Sequence, residues 1–401
     1  MPDKVSKAIV VGGGPAGLTA AIALAAGGID TVLIRKRSAA PDYRTTALLA
    51  GSVTALTTLG VWNLCAAHAA PLCVMRLVDD TGRLWRAPEV KFDAQEIGLD
   101  AFGHNIENRH LVAALDRRAH GLPDLRIVED EVSSVTPGER SALVALKIGA
   151  HLDAQLIVGA DGRRSLCRDA AGIGFEEQEY PQVALTLCLK HSRPHHDTST
   201  EFHTPSGPFT LVPLPGNRSS LVWVLDPADA DDLAALDDDA LADEIERAAH
   251  SILGKIEVEP GRGLFPLTRA RAKRFSANRV ALVGEAAHVI PPIGAQGLNL
   301  GLRDAATIGE LAISADRAAR DIGGINVLAA YDKMRRADVG SRTVAVDLLN
   351  RSLLSDFLPV QGARGLGLYA IDRIGPLRRA LMREGVTPHA AQPKLMRGDV
   401  P

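Results

Sequence analysis

The sequence runs to 401 residues, 46% hydrophobic and 23% charged, which is enough chain for two or three core-forming units and excludes a disordered or fibrous protein. Lys and Arg total 45 against 48 Asp and Glu, a formal charge of -3, so no global positive field gathers nucleic acid and no nucleic-acid partner is expected. Cys65, Cys73, Cys167 and Cys188 form no C-x-x-C pair and read as free thiols of a reducing compartment rather than a disulfide framework or zinc cluster.

The stretch from Ala8 to Ile29 carries no charge and superficially resembles a signal peptide or membrane span. Gly12-Gly13-Gly14-Pro15 breaks any spanning helix near its start, so the stretch instead reads as a strand (Lys7 to Val11), a turn (Gly12 to Gly17) and a helix (Leu18 to Ala26). A second strand, Thr31 to Ile34, completes a βαβ unit. Helical spacing follows at Thr45 to Leu59 and Arg109 to His120. Leu125 to Val128, Val132 to Val135 and Ala142 to Ile148 read as a strand meander, and Gln155 to Gly159 as a fully apolar strand.

Between about Tyr180 and Phe265 the pattern changes to alternating strands broken by Pro and Gly, such as Val183 to Leu189 and Ser219 to Leu225. This predicts an antiparallel domain inserted into the first, with one long helix over Asp229 to Leu253. The acidic run Asp237-Asp238-Asp239 lacks the glycine and glutamate of a calcium loop and reads as a solvated helical face. Arg279 to Val283 returns as an apolar strand, followed by a Gly/Pro-rich loop, a helix from Gln296 to about Ile313, and a mostly helical end. The predicted organisation is a discontinuous nucleotide-binding domain (1–75, 105–178 and 270–325), a substrate domain (76–104 and 179–269) and a helical region (326–401).

Gly12-x-Gly14-x-x-Gly17 lies between strand and helix, the context in which such a match signals a dinucleotide. The first glycine permits the tight turn, the second lets the backbone approach a pyrophosphate, and the third lets helix pack on strand, with the helix N-terminus facing the phosphates. The acidic residue expected about 20 positions on to bind ribose is replaced by Arg35, which suits either a 2′-phosphate or packing along adenine. Two further loops follow apolar strands: Gly159-Ala160-Asp161-Gly162 with Arg163, Arg164, Ser165 and Arg168, and Val283-Gly284-Glu285-Ala286-Ala287-His288 leading through Pro291-Pro292 to Gln296, Gly297, Leu298, Asn299 and Asp304. A Pro/Gly loop opening directly into a helix offers backbone donors and a positive dipole end to an anionic planar group.

Together with Asp42-x-Arg44-Thr45-Thr46-Ala47-Leu48, Ile106-Glu107-Asn108-Arg109 and the tail motifs Leu349-Asn350-Arg351 and Met382-Arg383-Glu384-Gly385, these motifs resemble the group A FAD-dependent aromatic monooxygenases. Within them the chain is most similar to the ubiquinone-biosynthesis hydroxylases. The resemblance implies an α/β fold: a Rossmann-like FAD-binding domain of the p-hydroxybenzoate hydroxylase type, an inserted antiparallel β-sheet substrate domain and C-terminal helices. It implies FAD as cofactor and NAD(P)H as a transient co-substrate. Gly12, Gly14 and Gly17, in one turn with Pro15 and Ala16, would hold the pyrophosphate, with Arg35 nearby and Arg44 and Thr45 near the phosphates. Asn108 or Arg109 would contact the flavin's linker, and Asp161 with Gly162 would lie between the two cofactor regions. Glu285, after Gly284, stands where the family usually has aspartate on the ribityl chain, and Pro292, Gln296, Gly297, Leu298 and Asn299 would border the flavin ring.

The activity implied is hydroxylation of the aromatic ring of a polyprenylated phenol or quinone precursor through a flavin C4a-hydroperoxide, so no side chain is firmly catalytic. His288 is the candidate base; a loop-anchoring role competes with it. His191, His195, His196 and His203 lack companion ligand spacing, and no metal is expected. A flavin halogenase would carry W-x-W-x-I-P, whereas Trp62, Trp85 and Trp223 are isolated. A catalytically weak lipid binder or scaffold is the alternative, motivated by Arg35 and Glu285. The expected partners are the prenylated substrate, a ubiquinone-biosynthesis enzyme complex and, through the basic Arg373 to Arg383 stretch, peripheral contact with the inner membrane from the cytoplasm.

Overall fold

The computed structural model describes residues 6–36, 42–82, 88–291, 295–354, 369, 373–386 and 392–400, with 341–354 as backbone alone. The first part comprises β1 (Ser6–Val11), α1 (Pro15–Ala26), β2 (Thr31–Arg35), β3 (Thr45–Leu49), α2 (Ala50–Thr58), β4 (Ala69–Pro71), β5 (Val74–Asp79), β6 (Val90–Asp93) and β7 (Gly103–Glu107). Next come α3 (Asn108–His120), β8 (Leu125–Glu129), β9 (Val132–Pro137), β10 (Ala142–Leu146), β11 (His151–Gly159) and α4 (Leu166–Ala170). The middle part is β12 (Phe175–His191), β13 (Thr198–His203), β14 (Pro208–Leu214), β15 (Arg218–Leu225), α5 (Pro227–Ala235), α6 (Asp238–Ala248), β16 (Ile256–Val258) and β17 (Gly263–Ala272). The chain returns through β18 (Ser276–Ala277), β19 (Val280–Leu282), β20 (His288–Val289), α7 (Gln296–Arg317), α8 (Ile325–Leu354) and α9 (Gly375–Val386).

One sheet runs β18-β19-β11-β1-β2-β8, with β10 and β9 added beside β11. Its β19, β11, β1, β2 and β8 are parallel, and their register aligns Val11 with Gly159 and Ile34, and Gly159 with Leu282. The loops after β1, β11 and β19 therefore leave the sheet at one level on its carboxyl edge, where open α/β sheets bind ligands. Residues Gly17 to Ala25 of α1 are all buried, because this Ala/Leu helix is covered by the sheet on one side and by α7 on the other. The second sheet runs β20-β17-β12-β15-β14-β13-β5-β6 with β16 beside β12; it is antiparallel except where β13 meets β5. Along β12, Leu185, Leu187 and Leu189 enter a core with Phe202, Phe209, Leu241 and Ile245, which places α6 on that face. A third sheet, β3-β7-β4, packs against β14 of the second.

Three expectations are corrected. Thr45 to Leu49 is a strand, not the start of a helix: it pairs antiparallel with β7, from Thr45 with Glu107 to Leu49 with Gly103, and the helix begins only at Ala50. Asp229 to Leu253 is two helices, because Leu236 leaves helical geometry and the Asp237 carboxylate accepts from the Ala240 N–H, capping α6. The meander is incomplete as well, since β8 pairs in parallel with β2 and only β9, β10 and β11 are antiparallel neighbours.

A Cβ at Gly17 would lie 2.1 Å from the Gly12 carbonyl oxygen. Gly17→Ala should therefore destabilise the fold by about 3 kcal/mol, seen as a lowered denaturant midpoint; a wild-type midpoint would contradict this packing.

Candidate functional site

The turn after β1 is built from backbone close approach. Gly12 has φ +120°, and a Cβ there would sit 2.1 Å from the Ala160 carbonyl oxygen, so the first and second loops touch. At Gly14 the position of a Cβ is open, with nothing within 4 Å. Gly14 caps α1 with no side-chain hydrogen bond, Pro15 occupies the first turn and no acid lies in it. The Ala16 and Gly17 N–H groups and the dipole's positive end are thus left for an anion.

Arg35 sits beneath this turn: a Cβ at Gly13 would be 2.7 Å from the Arg35 Cβ. Its guanidinium is buried, 2.5 Å from the Asp116 carboxylate and 3.6 Å from that of Glu129. Of its two expected roles, meeting a 2′-phosphate or packing along adenine, the first is opposed by this pairing of its charge with acids from α3 and β8.

Arg44 and Asn108 meet on one carboxylate. Arg44 donates to both oxygens of Asp42, at 2.9 and 2.8 Å, and Asn108 Nδ2 donates to Asp42 at 3.0 Å. Thr46 Oγ1 donates to Asn108 Oδ1 at 2.6 Å, tying the pair to β3. Arg109 turns away: its Nε donates to Glu107 at 2.6 Å. Glu107 also receives Arg218, which bridges to Glu259 at 2.6 Å, so Arg109 belongs to an ionic seam between the sheets. Asp161 organises its own loop, accepting from Ser165 Oγ at 2.5 Å and from the Cys167 N–H at 3.0 Å, while Gly162 takes φ +80°.

The third loop packs directly on the first. A Cβ at Gly301 of α7 would lie 3.2 Å from both the Ala16 Cβ and the Gly284 Cα, so the starts of α1 and α7 converge around Gly284. Glu285 is exposed and makes no hydrogen bond or ion pair among the described residues; its carboxylate faces the cleft beside Thr45 and Arg44, whose charge it stabilises at longer range. Ala295 enters α7 with φ 52°, no side chain caps the helix, no acid occupies its first turn, and Gly297 is open like Gly14. Leu298 packs against the core. The Asn299 side chain accepts from the Leu49 N–H at 2.9 Å and donates to the Ala47 and Ala295 carbonyls, so Asn299 offers a ligand its backbone only. Pro292 lies outside the described residues.

His288 is buried and does not line the cleft; its Nε2 is 2.7 Å from Asp304, which gives it the anchoring role rather than that of a base. Asp304, which closes the motif without a role assigned by it, is a hub: it also receives the Gly284 N–H at 3.0 Å and Arg335 Nε at 2.6 Å. Burial pushes its carboxyl upward, but the charges of His288 and Arg335 and the hydrogen bonds from His288 and Gly284 outweigh that and hold it below the ordinary 3.8. A single acid among Leu300, Leu302, Ala305 and Ala306 was the available signal, since a carboxylate in an apolar stretch needs partners.

Between these loops and the face of β12 opposite the leucines lies a cleft of about 280 Å³, walled by Ala184, Thr186, Cys188, Val222, Phe265 and Leu267. Burial, with Glu107 and Glu259 nearby, pushes the Cys188 thiol up to about 12, so it is no nucleophile. Glu107, Cys188 and Glu259 come together at metal-like spacing, yet Arg218 already bridges the two carboxylates. The histidines do not converge: His191 bonds the Arg193 carbonyl and Ser219, His195 the Leu214 and Gly216 carbonyls, and His203 Glu201.

Two open glycines at two uncapped, converging helix starts, with an exposed carboxylate between them, fit a dinucleotide whose far end is an electron-rich ring system. The chain matches the FAD binding domain family over residues 5–345 and belongs to that family. It is 36% identical to "Ubiquinone hydroxylase UbiL" of Rhodospirillum rubrum, covering 99% of this chain and 94% of that one. It is 32% identical to the "3-demethoxyubiquinol 3-hydroxylase" of Escherichia coli, over 96% of this chain and 99% of that one. Among solved structures, p-nitrophenol 4-monooxygenase PnpA from Pseudomonas putida shares the fold with a TM-score of 0.78 at 20% identity, covering 96% of this chain and 99% of that one. The expected fold class and cofactor, FAD, are thereby borne out.

Because the folded-state pKa of Asp304 is lowered, its stabilisation is fully present above about pH 4 and is lost as pH falls through the lowered value. Asp304→Asn should cost about 3 kcal/mol at neutral pH and flatten the acid limb of a melting temperature against pH profile. An unchanged limb would contradict the hub.

Proposed function

We propose that this chain is a FAD-dependent monooxygenase that uses NAD(P)H and O₂ to hydroxylate the aromatic ring of a polyprenylated phenol in ubiquinone biosynthesis. One oxygen atom enters the ring as hydroxyl. The other leaves as water, with two electrons from NAD(P)H balancing the reaction. The observation that carries this reading is the cleft, where a largely apolar sheet face meets Glu285 together with Val289, Ile290 and Pro291 of the stretch that leads to α7. The curated relatives' names support the substrate class.

When bound, FAD supplies the redox chemistry, passing electrons from nicotinamide to oxygen. Gly12, Gly14 and Gly17 would hold its pyrophosphate at the start of α1, and Glu285 would accept hydrogen bonds from its ribityl hydroxyls. Arg44, held by Asp42, which Asn108 holds in turn, would contact the cofactor near its phosphates. The N–H groups of Gly297 to Asn299 and the α7 dipole favour negative charge on the pyrimidine edge. The walls of β12, β15 and β17 exclude water and seat the ring. In this reading the cofactor half is 1–75, 105–178 and 270–325, the substrate half 76–104 and 179–269, and 326–401 an appended helical region.

No helix among the described residues is long and apolar enough to cross a membrane. We assign peripheral membrane contact to α9, where exposed Leu377 and Leu381, with Ile374 just before the helix, lie beside the exposed Arg379 and Arg383, while Arg378 is buried against Glu96. Apolar surface beside arginines complements an anionic lipid surface.

Reconstituted protein should show a flavin absorption spectrum and oxidise NAD(P)H faster when a prenylated phenol is added. A protein that stays colourless with excess FAD would overturn the assignment. Co-sedimentation with anionic vesicles should fall at least threefold in Leu377→Ser/Leu381→Ser and in high salt; equal binding by the variant would remove α9 from that role.

A further inference from the structure

Hydroxylating a phenol at one carbon requires that the ring be held in one orientation, and an apolar wall cannot supply that alone. Along β12, alternate residues face opposite sides: Leu185, Leu187 and Leu189 belong to the core, while Ala184, Thr186 and Cys188 line the cleft. Thr186 is half-buried and its hydroxyl has no hydrogen-bond partner among the described residues. Across the sheet its neighbours are Val222 on β15 and Gly263 on β17. Neither competes for the hydroxyl: Val222 is apolar, and Gly263 has no side chain, the apolar Phe265 ring lying over it instead.

The other hydroxyls on the cleft are placed differently. Thr268 receives Arg163 Nη2 at 3.3 Å, and Thr45 stands on β3, on the cofactor side. Tyr43 is 40% exposed and its ring packs against Gly261. Cys188, the remaining polar group on that face of β12, already points its thiol at the Tyr43 carbonyl, 3.9 Å away.

We propose that Thr186 orients the substrate: its Oγ1 accepts the hydrogen bond of the phenolic O–H and fixes the ring's rotation against the wall of Ala184, Val222 and Leu267. The contact also leaves more electron density on the phenol oxygen, and so on the ring carbon to be oxygenated. This inference rests on the monooxygenase reading above and adds the residue that selects the ring's pose.

Thr186→Val keeps the shape and removes the hydroxyl; Thr186→Ser keeps the hydroxyl and removes the methyl. With FAD-loaded protein and a short-tailed prenylphenol, Thr186→Val should raise KM about five- to tenfold and divert NAD(P)H oxidation from hydroxylated product to hydrogen peroxide. There NAD(P)H, a proton and O₂ give NAD(P)⁺ and H₂O₂. FAD affinity and melting temperature should stay as in wild type, and Thr186→Ser should recover most of the coupling. Wild-type KM and coupling in Thr186→Val would overturn the proposal. If the wild type hydroxylates no prenylphenol, the functional reading fails. The shift of the flavin spectrum on phenol binding then still decides Thr186, since equal dissociation constants in wild type and Thr186→Val would overturn its role.

Discussion

Everything at the site depends on three strand ends held level. β1, β11 and β19 are parallel and in register, so Val11, Gly159 and Leu282 finish together and their loops meet. The meeting is steric: Gly12 has no room for a side chain against Ala160, Gly17 none against Gly12, and Gly284 lies against Ala16. Backbones that approach this closely expose N–H groups rather than side chains, which is the chemistry a pyrophosphate needs.

From that junction the electrostatics follow. α1 and α7 begin beside each other without caps or acids, which concentrates positive dipole ends in one place. Behind them Asp304 accepts from His288, Arg335 and the Gly284 N–H, and Arg335 donates on to Asp338, a charge-compensated group that anchors the loop. The loop carrying Glu285 is thus fixed from behind while its carboxylate stays exposed in front. On the far side of the cleft the sheet contributes shape and a single open hydroxyl, so the cofactor half and the substrate half do different work.

The parts of this arrangement legible in the sequence were the short-range ones. Gly12 to Gly17 between strand and helix fixes its own geometry, and the apolar strand ending at Gly159 needs no distant information to be recognised. The spacing of Thr45 to Leu49 suits a helix, while its pairing with β7, more than 50 residues away, decides for a strand. The break at Leu236 and Asp237 was a local capping signal inside an acidic run that looked uniformly solvated. Arg35 was visible as a departure, but its partners Asp116 and Glu129 come from α3 and β8, and no spacing rule links them. The Asp304 hub and the Thr186 hydroxyl depend likewise on which faces the tertiary fold turns together.

The central claim is that the converging starts of α1 and α7 form one dinucleotide cradle opening on the β12 face. A crystal structure of the FAD complex tests it most directly. Pyrophosphate oxygens should lie within hydrogen-bond distance of the Ala16 and Gly17 N–H groups, with Glu285 on the ribityl chain and the flavin ring between the α7 start and the Thr186 wall. A dinucleotide bound elsewhere, or a flavin ring turned away from that wall, would contradict it.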